Sequence, residues 1–304
     1  MSKTLPRAAA VPRGSREGVA TGAAIVATLL IWGSTSVFTK VAVAHVDGLS
    51  VGILRTLLAA CVAVPYALAV ELPRPGTRRE VALAAGSALG AFVAFPLLFS
   101  LGLRFTTVVH AALIFSAAPI FTGLIAAWFD RTMPSRVWVA GVSLALLGEA
   151  LLILTKSPLG ARTGGLGGDL LVLLSTVGAS AGYVCGGKLA ALRTALIGTV
   201  WSLFVGGALM LPLAAVFIPR VPWQNVPGAG FASIAFLGIA GSFVAYLTWY
   251  WALSRGGIAR VGLSQFAQPV VSVVLAIVLL HEVLTPLTVV ATAAILGGIM
   301  IARR

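Results

Sequence analysis

Ten long apolar stretches make up almost the whole sequence and constrain what the chain can fold into. Each is close to the roughly 20 residues that a helix needs to cross a bilayer. They cover residues 18–43, 49–70, 80–103, 105–128, 136–155, 166–188, 194–217, 228–253, 258–280 and 285–302, which we number spans 1 to 10. Because 59% of the residues are apolar and only 10% are charged, the sequence predicts an all-α membrane protein with ten transmembrane helices.

The positive charges follow the loops between these spans. The formal net charge of +13 would by itself suit a nucleic-acid partner. If the N-terminus is cytoplasmic, however, 15 of the 21 Lys and Arg residues fall in cytoplasmic segments, five fall outside and Arg55 lies within span 2. This bias follows the positive-inside rule. It predicts a bacterial inner-membrane protein with a cytoplasmic tail at residues 1–17 and both termini on the cytoplasmic side. The predicted partner is the lipid bilayer rather than nucleic acid.

The two halves of the sequence resemble each other at an offset of 150 residues. The aligned identities are Leu103 with Leu253, Pro119 with Pro269, Ala126 with Ala276, Val139 with Val289 and Gly148 with Gly298. We therefore predict two five-helix repeats, at residues 18–155 and 166–304, joined by a linker at 156–165. Since five is odd, the second repeat starts from the opposite side of the membrane, so the repeats are predicted to be inverted, as in secondary transporters.

Pro119 and Pro269 occupy equivalent positions near the middle of spans 4 and 9. A proline cannot donate to the carbonyl four residues earlier, so we expect each to kink its helix. Within a bilayer such breaks are tolerated where they face protein or a water-filled cavity. Two equivalent kinks predict one central cavity between the repeats, with the prolines as hinge or gating positions. A packing kink without a cavity is the alternative.

Polar and aromatic side chains in four spans are candidates for lining this cavity. Polar groups within a span are costly, which makes them functional candidates. Aromatic rings can stack against a ligand, and amides can bind its polar groups. The predicted cavity residues are Trp32, Ser36, Tyr183, Tyr246, Ser264, Gln265 and Gln268. For the glutamines, hydrogen bonding between helices is the alternative.

Ionisable residues within spans or at their ends are candidates for attracting substrate or carrying a coupling proton. They are Lys40, His110, Glu149 and Lys188. For Glu149, local pairing is the alternative to a proton role. We expect Arg55 to anchor span 2 at the outer interface or to pair with an acidic group there. We expect Trp249, Tyr250 and Trp251, near the end of span 8, to form an interfacial aromatic belt.

The sequence carries no signature of an enzyme or a resident cofactor. Its three His, two Cys and eight acidic residues form no metal-ligand spacing, no catalytic triad and no paired carboxylates. Residues 182–189 have the spacing of a phosphate-binding loop, but Leu189 stands where that motif needs Ser or Thr. We therefore expect no catalysis, no metal and no cofactor, and transport that ATP does not drive.

Several motifs resemble those of the EamA-type exporters in the drug/metabolite transporter superfamily, and in order they cover nearly all of the chain. They are "WGSTSVFTK" (32–40), "ILRTLLAA" (53–60), "SAAPIFTGLIAAWF" (116–129), "GDLLVLLSTVGASAGYVCGGK" (168–188), "YLTWYWALSRGG" (246–257) and "QPVVSVVLAIVLLHE" (268–282). One motif departs from the family pattern. Span 4 usually ends in Gly-Glu in this family, whereas Phe129 and Asp130 stand there in this chain.

The resemblance implies ten helices around a central cavity that opens to one side at a time, and export of small metabolites. Within the family, the sequence is most similar to bacterial exporters of aromatic and other neutral amino acids. Nucleosides, sugars and cationic drugs are the alternative cargoes, and an intramembrane enzyme is the alternative of a different class. The sequence leaves the coupling ion and the oligomeric state open.

Overall fold

A computed structural model describes residues 16–131, 135–154, 166–256, 261, 264–265, 268–281 and 286–302. Apart from short turns, this part of the chain is helical. Seven helical segments are long and apolar enough to cross a membrane, and they coincide with predicted spans 1–4 and 6–8. They are Gly18–Val43, Gly48–Ala69, Arg78–Phe105, Val108–Asp130, Leu166–Leu192, Ala195–Arg220 and Gly228–Gly256. The prediction of an all-α membrane protein is therefore confirmed.

Three further apolar helices lie within predicted spans 5, 9 and 10. They are Arg136–Leu154, Gln268–Leu280 and Pro286–Ala302. The predicted linker at 156–165 and nearly all of the predicted tail at 1–17 lie outside the described residues.

Local sequence signals set where several helices begin. Thr77 accepts a hydrogen bond from the backbone N–H of Glu80, and the Glu80 carboxylate accepts one from the backbone N–H of Thr77, which forms a capping box. Asp47, Thr107 and Thr194 likewise accept from the backbone N–H three residues later. These caps end the short connections and turn the chain back into the bundle.

Spans 3 and 8 each contain a π-helical segment near the middle. The segments are Ala88–Ala94, between the helices Arg78–Ser87 and Phe95–Phe105, and Leu237–Val244, between the helices Gly228–Phe236 and Ala245–Gly256. Shifted by 150 residues, the first segment falls within the second. A π-helix widens the hydrogen-bond ladder, which makes some of its carbonyls available to side chains.

Span 4 is interrupted beside Pro119. The helix Val108–Phe115 ends, a short turn follows, and the helix Ala118–Asp130 begins with Pro119 in its first turn. In span 9, Pro269 belongs to the helix Gln268–Leu280, and residues 266–267 before it lie outside the described part of the chain. In span 4, instead of kinking a continuous helix, Pro119 stands at the start of a helix, where its missing N–H has no intrahelical partner to lose.

The helices pack in pairs that exchange when the two halves of the chain are swapped. Span 2 packs on span 7, and the helix of span 5 packs on that of span 10. Span 1 packs on span 8 and on the helix of span 9, whereas span 6 packs on spans 3 and 4. Spans 1, 3, 6 and 8 also meet one another, so the centre of the bundle lies between them.

Spans 3 and 6 approach each other backbone to backbone. A Cβ atom added to Gly182 would lie 2.5 Å from the backbone nitrogen of Ala91, and one added to Gly90 would lie 2.4 Å from the carbonyl oxygen of Gly178. Small residues allow membrane helices to approach this closely. The absence of a side chain at these positions therefore sets the distance between the two spans.

The variant Gly182→Ala is expected to destabilise the protein by about 1–3 kcal/mol, because the added methyl group forces spans 3 and 6 apart. The matched control is Gly22→Ala, where no atom lies within 4 Å of the added Cβ. Since alanine favours helix more than glycine does, this control is expected to be neutral or slightly stabilising. Thermal unfolding in detergent measures both, and equal transition temperatures would contradict the close packing.

Candidate functional site

A small cavity lies in the middle of the bundle. It has about 250 Å³ of empty space, but the centre of a water molecule can reach only about 10 Å³ of it, which is room for about one water. Its walls are Trp32, Thr35, Ser36, Phe95, Phe99, Phe115, Tyr183 and Gln268. The structure thus brings together four of the predicted cavity residues, from spans 1, 6 and 9.

An aromatic cluster, formed by Trp32, Tyr183, Tyr246 and Trp249, closes the cavity on one side. The Trp32 ring stacks on Tyr183 with centroids 5.3 Å apart, and it meets Tyr246 edge-on at 5.1 Å and Trp249 at 5.4 Å. None of the four residues is more than 4% exposed. Because Trp32 belongs to span 1 and the other three belong to spans 6 and 8, the cluster joins the two halves of the chain.

The aromatic cluster is anchored on carbonyls of the two π-helices. Trp32 Nε1 donates to the carbonyl oxygen of Gly241 at 3.0 Å, and the Tyr246 hydroxyl donates to that of Ala91 at 3.3 Å. These carbonyls are 150 residues apart, so they occupy equivalent positions in the two halves. Trp32 and Tyr246 therefore donate hydrogen bonds to equivalent buried carbonyls of the two π-helices, which would otherwise have fewer donors.

Both glutamines of span 9 are buried, with Gln265 at 4% and Gln268 at 8% exposure. Both amide atoms of Gln265, and Oε1 of Gln268, have no hydrogen-bond partner within the described parts of the chain. Ser264 differs, because its hydroxyl donates to the carbonyl of Val261 at 2.6 Å, within its own turn. Both glutamines thus have buried polar atoms without partners among the described residues, and Gln268 lines the cavity, whereas Ser264 is bonded locally.

Arg55 contradicts the expectation of an interfacial anchor. Its side chain is 0% exposed, its Nε donates to Ser242 Oγ at 3.2 Å, and its guanidinium lies 5.1 Å from the centre of the Phe95 ring. The prediction was wrong because it relied on position along span 2. The side chain points into the bundle, toward the π-helix of span 8, and only the packing of that helix reveals this direction.

The predicted aromatic belt at the end of span 8 is also wrong for two of its three residues. Trp249 is 1% exposed and Tyr250 is 0% exposed. The Tyr250 hydroxyl bonds with that of Ser87 at 2.9 Å. Trp251 alone is partly exposed, with the Arg255 guanidinium 5.8 Å from its ring centre. A run of three aromatic residues places neighbours on different faces of a helix, so one belt cannot contain them all.

A buried group of hydrogen bonds closes the end of the bundle where span 1 ends. Lys40 Nζ donates to the carbonyls of Leu103 at 2.8 Å and Thr106 at 2.5 Å. The Thr106 hydroxyl donates to the Asp169 carboxylate, and His110 Nδ1 lies 3.2 Å from the other oxygen of this carboxylate. We call these residues the polar end cluster. Asp169 is absent from the predicted candidates, although an acidic residue at the start of an apolar span is itself a signal.

Lys188 lies at the other end of span 6. Its Nζ binds the Asp130 carboxylate at 2.5 Å and lies 5.7 Å from the centre of the Phe129 ring. This ion pair joins the ends of spans 4 and 6, away from the cavity. Glu149 belongs to the helix Arg136–Leu154, and its side chain lies outside the described part of the structure.

The arrangement is suited to binding rather than to catalysis. Aromatic faces can stack a ligand, and the unpaired glutamine atoms can hydrogen-bond it. The cavity has room for about one water molecule, so a larger ligand can be bound there only when the surrounding helices move apart. A membrane-embedded cavity between two halves of a helical bundle is typical of secondary transporters.

Residues 21–154 and 166–304 each match the EamA-like transporter family. The chain belongs to this family, within the drug/metabolite transporter superfamily, and the resemblance drawn from its motifs is confirmed. The protein is therefore a membrane transporter. Because the family matches each half separately, the match also agrees with the sequence repeat.

Similar proteins include transporters from bacteria. The "Uncharacterized transporter YdeK" of Bacillus subtilis is 30% identical over 280 residues, which cover 91% of this chain and 94% of that protein. The "Probable terminal-alkyne amino-acid exporter" of Streptantibioticus cattleyicolor is 26% identical and covers 92% of both chains. A crystal structure at 22% identity superposes with a TM-score of 0.63 over 95% of this chain and 97% of its own, which shows the same fold.

Lys40→Met is expected to loosen the polar end cluster, because it leaves two carbonyls at the end of the span 3 helix without their charged donor. A reporter thiol placed in the cavity wall by Ser36→Cys, in a chain without Cys61 and Cys185, should then react several-fold faster with a membrane-impermeant thiol reagent. Arg104→Met is the matched control, since Arg104 is exposed near the same end of the bundle. Identical labelling rates in both variants would contradict a closing role for Lys40.

Proposed function

We propose that this protein is a secondary transporter of the bacterial inner membrane that exports small metabolites, above all aromatic and other neutral amino acids, by alternating access. The observation that carries the proposal is the central cavity and the aromatic cluster that closes it between the two halves of the chain. The predicted cavity residues Trp32, Ser36, Tyr183, Tyr246, Gln265 and Gln268 are assigned to substrate binding. Ser264, which bonds within its own turn, is assigned no contact.

The architecture we propose is ten transmembrane helices in two inverted five-helix repeats. Support comes from the two family matches, from the two π-helices 150 residues apart, and from packing pairs that exchange when the halves are swapped. In this arrangement one half rocks against the other around a fixed central site. Pro119 and Pro269 are assigned the role of hinges, since Phe115 and Gln268 line the cavity near them.

We place both chain ends in the cytoplasm, on the strength of the charge bias. With this orientation, the polar end cluster of Lys40, His110 and Asp169 faces outward, and the Lys188 ion pair faces the cytoplasm. The two groups of bonds then act as outer and inner gates. Each holds one end of spans 4 and 6 together, so each must break before that end opens.

Amino acids are the proposed cargo because the cavity offers both kinds of contact that they need. Trp32, Tyr183 and Tyr246 offer ring faces and edges to an apolar or aromatic side chain. Gln265 and Gln268 offer amide groups to the polar end of the molecule. A relative that covers 92% of this chain carries the name of an amino-acid exporter, which supports the same class.

Counterflow in proteoliposomes tests the proposal directly. Labelled phenylalanine, leucine and other neutral amino acids are expected to exchange, whereas nucleosides, sugars and organic cations are not. Exchange of one of those other classes alone would assign a different cargo, and chemical turnover of a compound by the purified protein would indicate an enzyme. Absence of exchange for the whole panel would contradict transport by this cavity.

In the same assay, Tyr183→Leu is expected to raise the concentration of aromatic amino acid that gives half-maximal exchange about three- to tenfold. This corresponds to the roughly 0.5–1.5 kcal/mol of one aromatic contact. The matched control is Trp128→Leu, because Trp128 is a large aromatic residue that is 76% exposed on the outside of the bundle. An equal effect of the two variants would exclude Tyr183 from the binding site.

A further inference from the structure

Arg55 is a fully buried cation whose outer nitrogen atoms are left without partners. Its single hydrogen bond within the described residues runs from Nε to Ser242 Oγ. Nη1 and Nη2 have no hydrogen-bond partner in that part of the chain, although both are inaccessible to solvent. A guanidinium has five N–H donors in a planar fork, so most of its donor capacity is unused.

Arg55 takes part in none of the ion pairs among the described residues. They join His110 to Asp169, Lys188 to Asp130 and Arg193 to Glu80, near the ends of the spans. An isolated charge in a membrane interior is strongly unfavourable. Among the described residues Arg55 has no anionic partner, so an anion from outside the protein is a suitable counterpart for it.

The guanidinium lies behind the wall of the central cavity, next to residues that line it. It sits 5.1 Å from the ring centre of Phe95, which lines the cavity. A Cβ added to Gly241 would lie 3.7 Å from Arg55 Nη2 and 3.6 Å from Thr35 Oγ1, and Thr35 is another lining residue. The free end of the fork therefore reaches the cavity side of the bundle, beside the carbonyl that holds Trp32.

We infer that Arg55 is the binding site for a carboxylate of the transported molecule. The planar fork matches a carboxylate in bidentate geometry, and burial strengthens the attraction. This inference rests on the proposed transport function and narrows it. The substrates must carry a carboxylate, which admits amino acids and related acids and excludes nucleosides, sugars and purely cationic drugs.

The position of Arg55 relative to the aromatic cluster orients the substrate. Gly241 connects them, since its carbonyl accepts from Trp32 and its Cα side faces Arg55 Nη2. A molecule whose carboxylate binds Arg55 would direct its side chain to the faces of Trp32 and Tyr183. Entry of the carboxylate also requires Phe95 to move, which couples binding to opening of the cavity.

A structural role and an anion-binding role for Arg55 predict different effects of its removal on the stability of the protein. If Arg55 served to tie span 2 to span 8, its removal would destabilise the protein, as would Ser242→Ala. If it serves to bind an anion, removing a charge that has no anionic partner among the described residues should not lower stability, while ligand binding is lost.

The test compares 3-phenylpropionate with its neutral amide, 3-phenylpropanamide, by tryptophan fluorescence of the full-length protein in detergent. Wild-type protein is expected to bind the acid at least tenfold more tightly than the amide. Arg55→Met is expected to weaken binding of the acid at least tenfold, with no change for the amide and no lower transition temperature. Arg55→Lys should restore part of the preference.

Two variants serve as controls. Arg104→Met removes an exposed arginine, and Ser242→Ala removes the one hydrogen-bond partner that Arg55 has among the described residues; both variants should keep the preference for the acid. Equal binding of the acid and the amide, no binding of either, or an equal loss of both in Arg55→Met would overturn the inference. Because this assay measures binding alone, it is independent of counterflow, so failure of the carboxylate site and failure of the transport function are distinguishable.

Discussion

The structure depends on the requirement that buried backbone carbonyls in a membrane protein find partners within the protein. Water cannot serve them in the hydrocarbon region, and each carbonyl left without a partner costs several kcal/mol. The two π-helices widen the regular ladder in spans 3 and 8, and side chains from neighbouring spans bond to their carbonyls. Trp32 and Tyr246 do this at Gly241 and Ala91, and Thr56 does so at Phe92.

This requirement connects the fold to transport. The residues that satisfy the π-helices are also those that fill the centre of the bundle, so the cavity is closed by the same contacts that stabilise spans 3 and 8. A substrate that stacks on Trp32 or Tyr183 competes with ring contacts between the two halves of the chain. Such competition is what a carrier needs, because binding must be linked to a change in how the halves pack.

The sequence predicts the larger features well for physical reasons. Span length and apolar composition are set by the thickness of the bilayer, which is why each of the seven helices long enough to cross it overlaps one predicted span, with ends that differ by a few residues. A proline restricts the backbone directly, so a helix boundary appears beside Pro119. The central aromatic residues Trp32 and Tyr183 were predictable because they recur with polar neighbours on one face of an otherwise apolar helix.

What the sequence could not show is the direction of a side chain in a helix that is apolar on all faces. Arg55 and Trp249 were assigned to the interface by their positions along the spans, yet both point inward. The π-helices escaped prediction as well, because they arise from packing between spans rather than from a residue pattern. Asp169 acquires its role only when the fold brings it beside Thr106 and His110.

The most direct test of the account is an experimental structure of the protein with bound phenylalanine. The account predicts the substrate in an enlarged central cavity, with its ring between Trp32 and Tyr183, its carboxylate on the Arg55 guanidinium, and one of the two gates open or loosened. A substrate bound elsewhere, with the aromatic cluster still closed and Arg55 still unpaired, would contradict it.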